Sequence, residues 1–417
     1  MTDRETDVVI LGGGLQGAGV ALELARRGIS VILLDRDDRA INRASLRNEG
    51  KIHLGFIYAN DSSFETASLM LDGALRFRDI VEPWLGTADG LALATPFHYL
   101  VARDSVVSPA ALAEHYAAVE SRFREQLGVH PELDYLGSRP DRLVRPLTDS
   151  EIARHFDPAR FSAGFATAEL AIDTEVLAVA LRRALARSER IGFEPSHLAR
   201  TIETTPAGFR VEGDGPRGPW RIRARQVVNA TWERRLAFDR QVGLTPPADL
   251  LHRLKYRVIA RLPRELHGAP SVSMVLGRYG DVVIRPDGTA FLSWYPAGLR
   301  GWSHEVEPPS DWDPACRGEV APPLAREITA GILAGIDAWY PGMARSEPIL
   351  VDAGAIVAIG RSDVDDAASG LHDRTRIGVT SRGGYHSVDT GKLTTAPMFA
   401  VIAADRVEAL ATGRTAT

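Results

Sequence analysis

One cysteine, three lysines and no apolar run long enough for a membrane helix mark this chain by what it has little of. A lone Cys316 excludes an internal disulfide and a multi-cysteine metal site, and no metal centre is predicted. The N-terminus, MTDRETD, is acidic where a secretory signal is basic, which together with the single thiol predicts a reducing cytoplasm. The longest apolar runs, such as VVIL and SVILL, fall far short of the ~20 residues a membrane helix needs, so no membrane span is predicted. Long basic runs are absent and the formal net charge is -5, which gives no attraction to nucleic acid. Nearly all of the 49 basic residues are arginine; the lysines are Lys51, Lys255 and Lys392. Where arginine is the general cation, a lysine marks a place for a compact ammonium that a planar guanidinium does not fit.

What is present suits a globular protein of two domains: 417 residues, 45% hydrophobic and 25% charged. The segment DVVILGGGLQGAGVALELARRGISVILLDRD reads as a strand (Val8 to Leu11), a glycine turn, a helix ending at Gly28, and a second strand (Val31 to Leu34) closing on Asp35. Gly12 permits the tight turn, Gly14 the approach of a pyrophosphate, and Gly17 close packing of helix on strand; Leu15 and Gln16 lie in the same turn. The helix start offers unpaired N–H groups to an anion. Asp35 is placed to bind a ribose hydroxyl and to repel a 2′-phosphate, which disfavours NADP. The fingerprint alone does not choose between FAD and NAD.

Beyond residue 40 the strand–helix pattern breaks into an irregular stretch, RASLRNEGKIHLGFIY, in which KIHLGFIY is compatible with a short half-buried strand. Two further segments stand out: ARQVVNATW (Ala224 to Trp232), and SVDTGKLTTAP (Ser387 to Pro397), a glycine turn, threonines suited to capping and a proline before an apolar helical run.

Together these segments resemble the D-amino acid oxidase superfamily of FAD enzymes, which includes glycine oxidase, sarcosine oxidase and the FAD-linked glycerol-3-phosphate dehydrogenases. KIHLG is similar to their LIHGG, VVNATW to their NAAG or NATG turn, and TGKLTT to their GGKLTT run; Thr231-Trp232 departs from the usual glycine. The resemblance implies an α/β fold: a discontinuous Rossmann-like FAD-binding domain (residues 1–84, 151–240 and 346–417) and a mainly antiparallel substrate domain (85–150 and 241–345). It implies FAD as cofactor, held by the glycine turn with Asp35, Arg36, Arg43, Ala44, Ser45, Asn48, Glu49, Gly50, Ala230, Thr231, Gly391, Lys392, Leu393 and Thr394.

The function this implies is removal of a hydride from a carbon bearing an amine or hydroxyl in a small polar substrate, with electrons passed to O2 or another acceptor. Candidates for the chemistry are His53 and Lys51, then Tyr385, His386 and Arg361, with Arg382 close by in sequence. His53 is also readable as a structural histidine, and Lys51 as a partner of Glu49. An arginine here is suited to a substrate carboxylate or phosphate, although the family's AGxRP-like segment reads AGAIVAIGRSD in this chain. Tyr279, Arg285, Trp294 and Tyr295, in a hairpin turning at Asp287-Gly288, are candidates for a roof over the flavin. Alternatives are a flavin monooxygenase or halogenase, for which the late GD-type motif is missing, and a non-catalytic dinucleotide-binding protein. Oligomeric state is not legible.

Overall fold

The computed structural model describes residues 2–87, 90–364, 366 and 369–413. The first strand, Thr2–Leu11, starts well before Val8. Its polar beginning is held by cross-strand ion pairs: Asp3 and Glu5 both reach Arg223, at 2.8 and 2.9 Å, and Arg4 reaches Glu194. It is flanked in parallel by Val31–Leu34 and Gly218–Asn229, with Ile191–Glu194 and Tyr385–Asp389 extending the sheet on either side. Helices Leu15–Arg26, Glu65–Leu85 and Ala396–Ala411 pack together beside this sheet.

The second sheet has nine strands, antiparallel except where Ser271–Val275 runs beside Phe97–Ala102. Its membership departs from the expected boundaries in two places. Phe161–Thr167 and Glu347–Ile359, assigned from sequence to the cofactor domain, pair here with Phe97–Ala102 and Leu250–Arg261. Contiguity in sequence suggested otherwise; the register of backbone hydrogen bonds decides.

Strand Leu250–Arg261 carries the functional asymmetry of the fold. Leu254, Tyr256, Val258 and Ala260 point into a core shared with Ile328, Ile332 and Ile336 of helix Pro322–Asp337. The alternate residues Arg253, Lys255 and Arg257 line a cavity between the two sheets, as the two-residue period of a strand requires. Two helices are capped by side chains: Ser108 Oγ accepts from Ala111 N at 3.2 Å and Asp173 Oδ1 from Glu175 N at 2.8 Å. No helix among the described residues is long and apolar enough to cross a membrane.

Close approach at the first turn depends on two glycines. Gly12 has φ +95° and a Cβ there would lie 2.5 Å from Ala230 O; a Cβ on Gly17 would lie 1.9 Å from Gly12 O. Gly17→Ala is therefore expected to destabilise the chain by about 1–3 kcal/mol through overpacking against backbone. Urea denaturation checks this, and an unchanged midpoint removes the packing role.

Candidate functional site

The cavity runs from the first glycine turn to the face of strand Leu250–Arg261. At one end Gly12, Gly14, Leu15, Gln16, Asp35, Arg36, Arg43, Ala44 and Ser45 line it. The Asp35 carboxylate accepts from Gly13 N at 2.5 Å and Asp37 N at 2.7 Å. Burial nonetheless pushes its carboxyl up to about 6, against the pull of those two donors. Arg36 and Arg43 are already engaged: Arg36 with Glu233, and Arg43 with Asp37 and Asp313 at 2.8 and 2.7 Å. Ser45 Oγ accepts from Leu15 N at 2.9 Å, fixing the helix start.

At the other end the chain's three lysines meet. Lys51 Nζ lies 2.8 Å from Asp281 Oδ1, donates to Ser273 Oγ and sits 4.3 Å from the centre of the Phe97 ring. Lys51 thus pairs with Asp281 rather than with Glu49. Lys255 Nζ is 3.9 Å from both Asp281 Oδ2 and Glu49 Oε2, and 4.8 Å from the Tyr295 ring centre. Burial raises the Glu49 carboxyl, but Lys255, Lys392 and Lys51 outweigh it and hold it down to about 2. Lys392 has no carboxylate within ion-pair distance among the described residues. Burial above all, reinforced by Arg374, Lys255 and Arg253 and partly offset by Glu49, brings it down to about 8. With Glu169, which also acts on Lys51, three carboxylates face the three lysines, and the one lysine without a close acid among the described residues is Lys392. The neighbouring Arg253 and Arg257 are matched by Asp363 at 2.8 Å and Asp352 at 2.6 Å.

His53 lines the same end. Its backbone N donates to Thr394 Oγ1 at 2.9 Å, its ring meets Tyr58 edge-on at 5.6 Å, and Nδ1 stands 3.7 Å from Glu169 Oε1. Burial lowers its basicity; the Glu169 carboxylate opposes that, and Lys392 and Lys51 add to it.

The remaining sequence candidates divide. Asn48, Glu49, Ala230, Thr231, Gly391, Lys392, Leu393 and, from the roof, Tyr295 line the cavity. Gly17, Gly50 and Thr394 stand behind it: Gly17 under Gly12, Gly50 against Ile172 O, and Thr394 beneath His53. Trp232 adopts φ +52° where the resemblance predicts a glycine, held by Nε1 donating to Ala355 O at 2.8 Å. The threonines before the last helix do not cap it. Thr395 Oγ1 donates to Thr390 O at 2.6 Å instead, and the helix begins at Ala396.

Four catalytic or anion-binding expectations are corrected by position. Arg361 is 83% exposed in its side chain, pairs with Asp249 and lines a second cavity rather than the main one. Tyr385 is buried in the first sheet, its hydroxyl bonded to Asn229 and Asp239. His386 bonds Gln226 and Ser381, and burial lowers it to about 4. Arg382 donates to Gly243 O at the surface. Of the other roof candidates, Arg285 pairs with Asp173, Tyr279 with Asp104, and Trp294 packs beside Trp339. Cys316 is buried and its thiol is pushed up to about 12 by burial, so it is no nucleophile.

Sequence reasoning missed Glu169, Asp281, Ser273, Arg253 and Arg374. Arg374 is 5% exposed and, among the described residues, its guanidinium has no ion pair or hydrogen bond; Nε is fully enclosed. It lines that second cavity with Arg361, Asp373, Asp389 and Ile359. Its charge is felt at Lys392, and Tyr58 and Arg253 in turn bear on it. Nothing in the sequence separates Arg374 from the exposed Arg361 and Arg376.

The cavity fits FAD by the chemistry of its donors. A glycine cradle and a helix N-terminus would suit a pyrophosphate, Asp35 a ribose hydroxyl, and the positive charge at Lys392 an electron-rich ring. A family model described as FAD dependent oxidoreductase (DAO) matches residues 7–406. One of the polypeptides of the anaerobic glycerol-3-phosphate dehydrogenase of Haemophilus influenzae is 39% identical over 97 residues, 23% of this chain and 17% of that protein. Glycine oxidase from Geobacillus kaustophilus superposes with TM-score 0.69 at 16% identity, over 99% of this chain and 96% of that one. L-alpha-glycerophosphate oxidase from Mycoplasma pneumoniae, solved with FAD bound, gives 0.59 at 18%, over 97% and 94%. At these identities the structural likeness concerns the fold.

The uncompensated Lys392 has a measurable consequence. Its folded value of about 8 lies below the ordinary 10.5, so stability falls as pH drops from 10.5 to 8 and the penalty is constant below that. Lys392→Met is expected to stabilise the flavin-depleted chain at pH about 7, with the gain shrinking as pH rises above about 8. Thermal denaturation across that range checks the sign.

Proposed function

The chain belongs to the DAO family of FAD-dependent oxidoreductases, and from that premise we propose that it removes a hydride from a carbon bearing a hydroxyl or amine in a small anionic substrate. His53, in the main cavity, takes the heteroatom's proton, and Arg374, which lines the second cavity and is electrostatically coupled to Lys392 and Arg253 of the first, holds the anion. Bound FAD supplies the hydride acceptor.

The observation that carries the anionic substrate is Arg374 itself. A guanidinium cannot shed its charge, and burying one costs several kcal/mol, so a buried arginine whose guanidinium among the described residues has no ion pair or hydrogen bond, and only the more distant carboxylates of Asp389 and Asp373 to offset it, suits an anionic ligand. Lys392, with no carboxylate within ion-pair distance among the described residues, acts in the same direction. The relatives' names are consistent with this: glycerol-3-phosphate carries a phosphate and glycine a carboxylate. His53 is the cavity-lining group suited to accept a proton, because burial keeps it neutral. Phe291 and Tyr295 give the cavity an apolar wall that excludes water, and Lys51, fixed by Asp281 and Ser273, sets the local field. The cytoplasm is the proposed location, since the single buried thiol needs no oxidising compartment.

Anaerobic mixing of the holoenzyme with small hydroxy acids, amino acids and phosphorylated polyols tests this through the flavin's visible absorbance. Bleaching without NAD(P)H is expected for anionic compounds and not for their uncharged analogues. Arg374→Gln is expected to raise KM roughly a hundredfold, with a smaller change in kcat, as for loss of one partner of a buried charge pair. Equal bleaching by neutral analogues, or a requirement for NAD(P)H, overturns the proposal.

A further inference from the structure

Glu169 follows Phe161–Thr167 in the chain and is completely enclosed, at 0% exposure. It does not line the cavity, yet it is held from every side. Oε2 accepts from Leu54 N at 2.7 Å, Oε1 accepts from the Tyr99 hydroxyl, and the backbone O accepts from Phe97 N at 3.0 Å. An enclosed carboxylate with two donors remains an anion. Burial raises its carboxyl, but His53, Lys51 and Tyr99 outweigh that and hold it below the usual range. The remaining group it faces is His53 Nδ1, 3.7 Å from Oε1 and without a hydrogen-bond partner of its own.

We infer that Glu169 is the positioning residue for His53: its carboxylate keeps the imidazole proton on Nδ1 and stabilises the imidazolium, leaving Nε2 as the acceptor that faces the cavity. The inference rests on His53 being the proton acceptor proposed above. A carboxylate can only accept, so the neutral ring that faces it must carry its hydrogen on Nδ1. When the substrate's O–H or N–H bond breaks, the proton goes to Nε2 and the ring becomes a cation, while the hydride leaving carbon is the one already assigned to FAD. The 3.7 Å separation is then free to close to a charged hydrogen bond, as catalytic contacts do when ligand binds. Lys51 and Lys392 are the other charged groups that bear on His53, and Tyr58 packs its ring; both lysines oppose the imidazolium, and Glu169 offsets them.

The test uses holoenzyme carrying isotope-labelled histidine, with the NMR signal of His53 identified among the 11 histidines by its loss in His53→Gln. Wild type is expected to show the Nδ1–H tautomer. Glu169→Gln is expected to lower the pKa of His53 by about 1 to 3, the size of effect of one nearby opposite charge, and to mix the tautomers. Tyr99→Phe, which keeps the carboxylate and frees Oε1, is expected to raise it, and serves if the glutamine variant does not fold. Titration of His53 at the same pH in wild type and both variants overturns the inference. The acid limb of the kcat/KM pH profile then tests the underlying reading separately. A limb that moves with the NMR value supports His53 as acceptor; a limb that stays while the NMR value moves refutes that role and leaves the Glu169–His53 pairing supported.

Discussion

The rest of the site depends on burying three ammonium groups among three carboxylates, Asp281, Glu49 and Glu169, between two sheets. Each buried charge costs several kcal/mol unless matched, so the order Lys51, Asp281, Lys255, Glu49, Lys392 is an alternation of sign that lets each group offset its neighbours. It also explains why lysine survives here in a chain that otherwise uses arginine. The Lys51 ammonium reaches Asp281 and Ser273 together while lying over the Phe97 ring, which a rigid planar fork with a wider head does not do in the same space. The alternation ends on a cation, Lys392, which opens on the cavity.

A second regularity is that several carboxylates set the behaviour of the basic groups from behind the wall. Asp281, Asp352, Asp363 and Glu169 are absent from the cavity lining, yet they face Lys51, Arg257, Arg253 and His53, which line it. Basic groups at the wall with acids behind them give a surface of positive potential whose individual charges differ in availability. Arg253 and Arg257 are spoken for by close pairs; Lys255, at 3.9 Å from both of its acids, is less tightly held. The potential along the wall is thus set by that gradation and not by the number of cations.

What was legible in the sequence is what is local. Gly17 meets Gly12 O in the same turn, and Ser108 and Asp173 cap helices that start at the next residue, so a short window contains their reason, whereas Gly12 meets Ala230 and Gly14 meets Ser45. The pairs that make the site are not local: His53 and Glu169 lie 116 positions apart and Lys51 and Asp281 lie 230 apart. Lysine scarcity marked the three ammonium positions but could not name their acids. Arg361 and Arg374 share one loop between strands, and only its path shows that Arg361 faces solvent while Arg374 is enclosed. The same limit misassigned Glu347–Ile359, whose residues suit either sheet and whose place is set by pairing with Leu250–Arg261.

The irregularity of residues 36–53 has a physical cause in this arrangement. The stretch serves both sheets at once and therefore cannot repeat with the period of either helix or strand. Arg36 and Arg43 reach Asp313, Arg47 reaches Asp352, Leu46 O accepts from Arg257, Glu49 faces Lys255 and Lys51 holds Asp281. Each of these contacts joins the segment to the far side of the cavity, while the backbone N of His53 is tied to Thr394 at the start of the last helix. A regular element would turn half of these side chains away from the seam. The cofactor cavity is thus the gap that this seam leaves open, and a ligand that fills it binds both sheets through residues that already connect them, so occupancy and fold stability are linked by mass action.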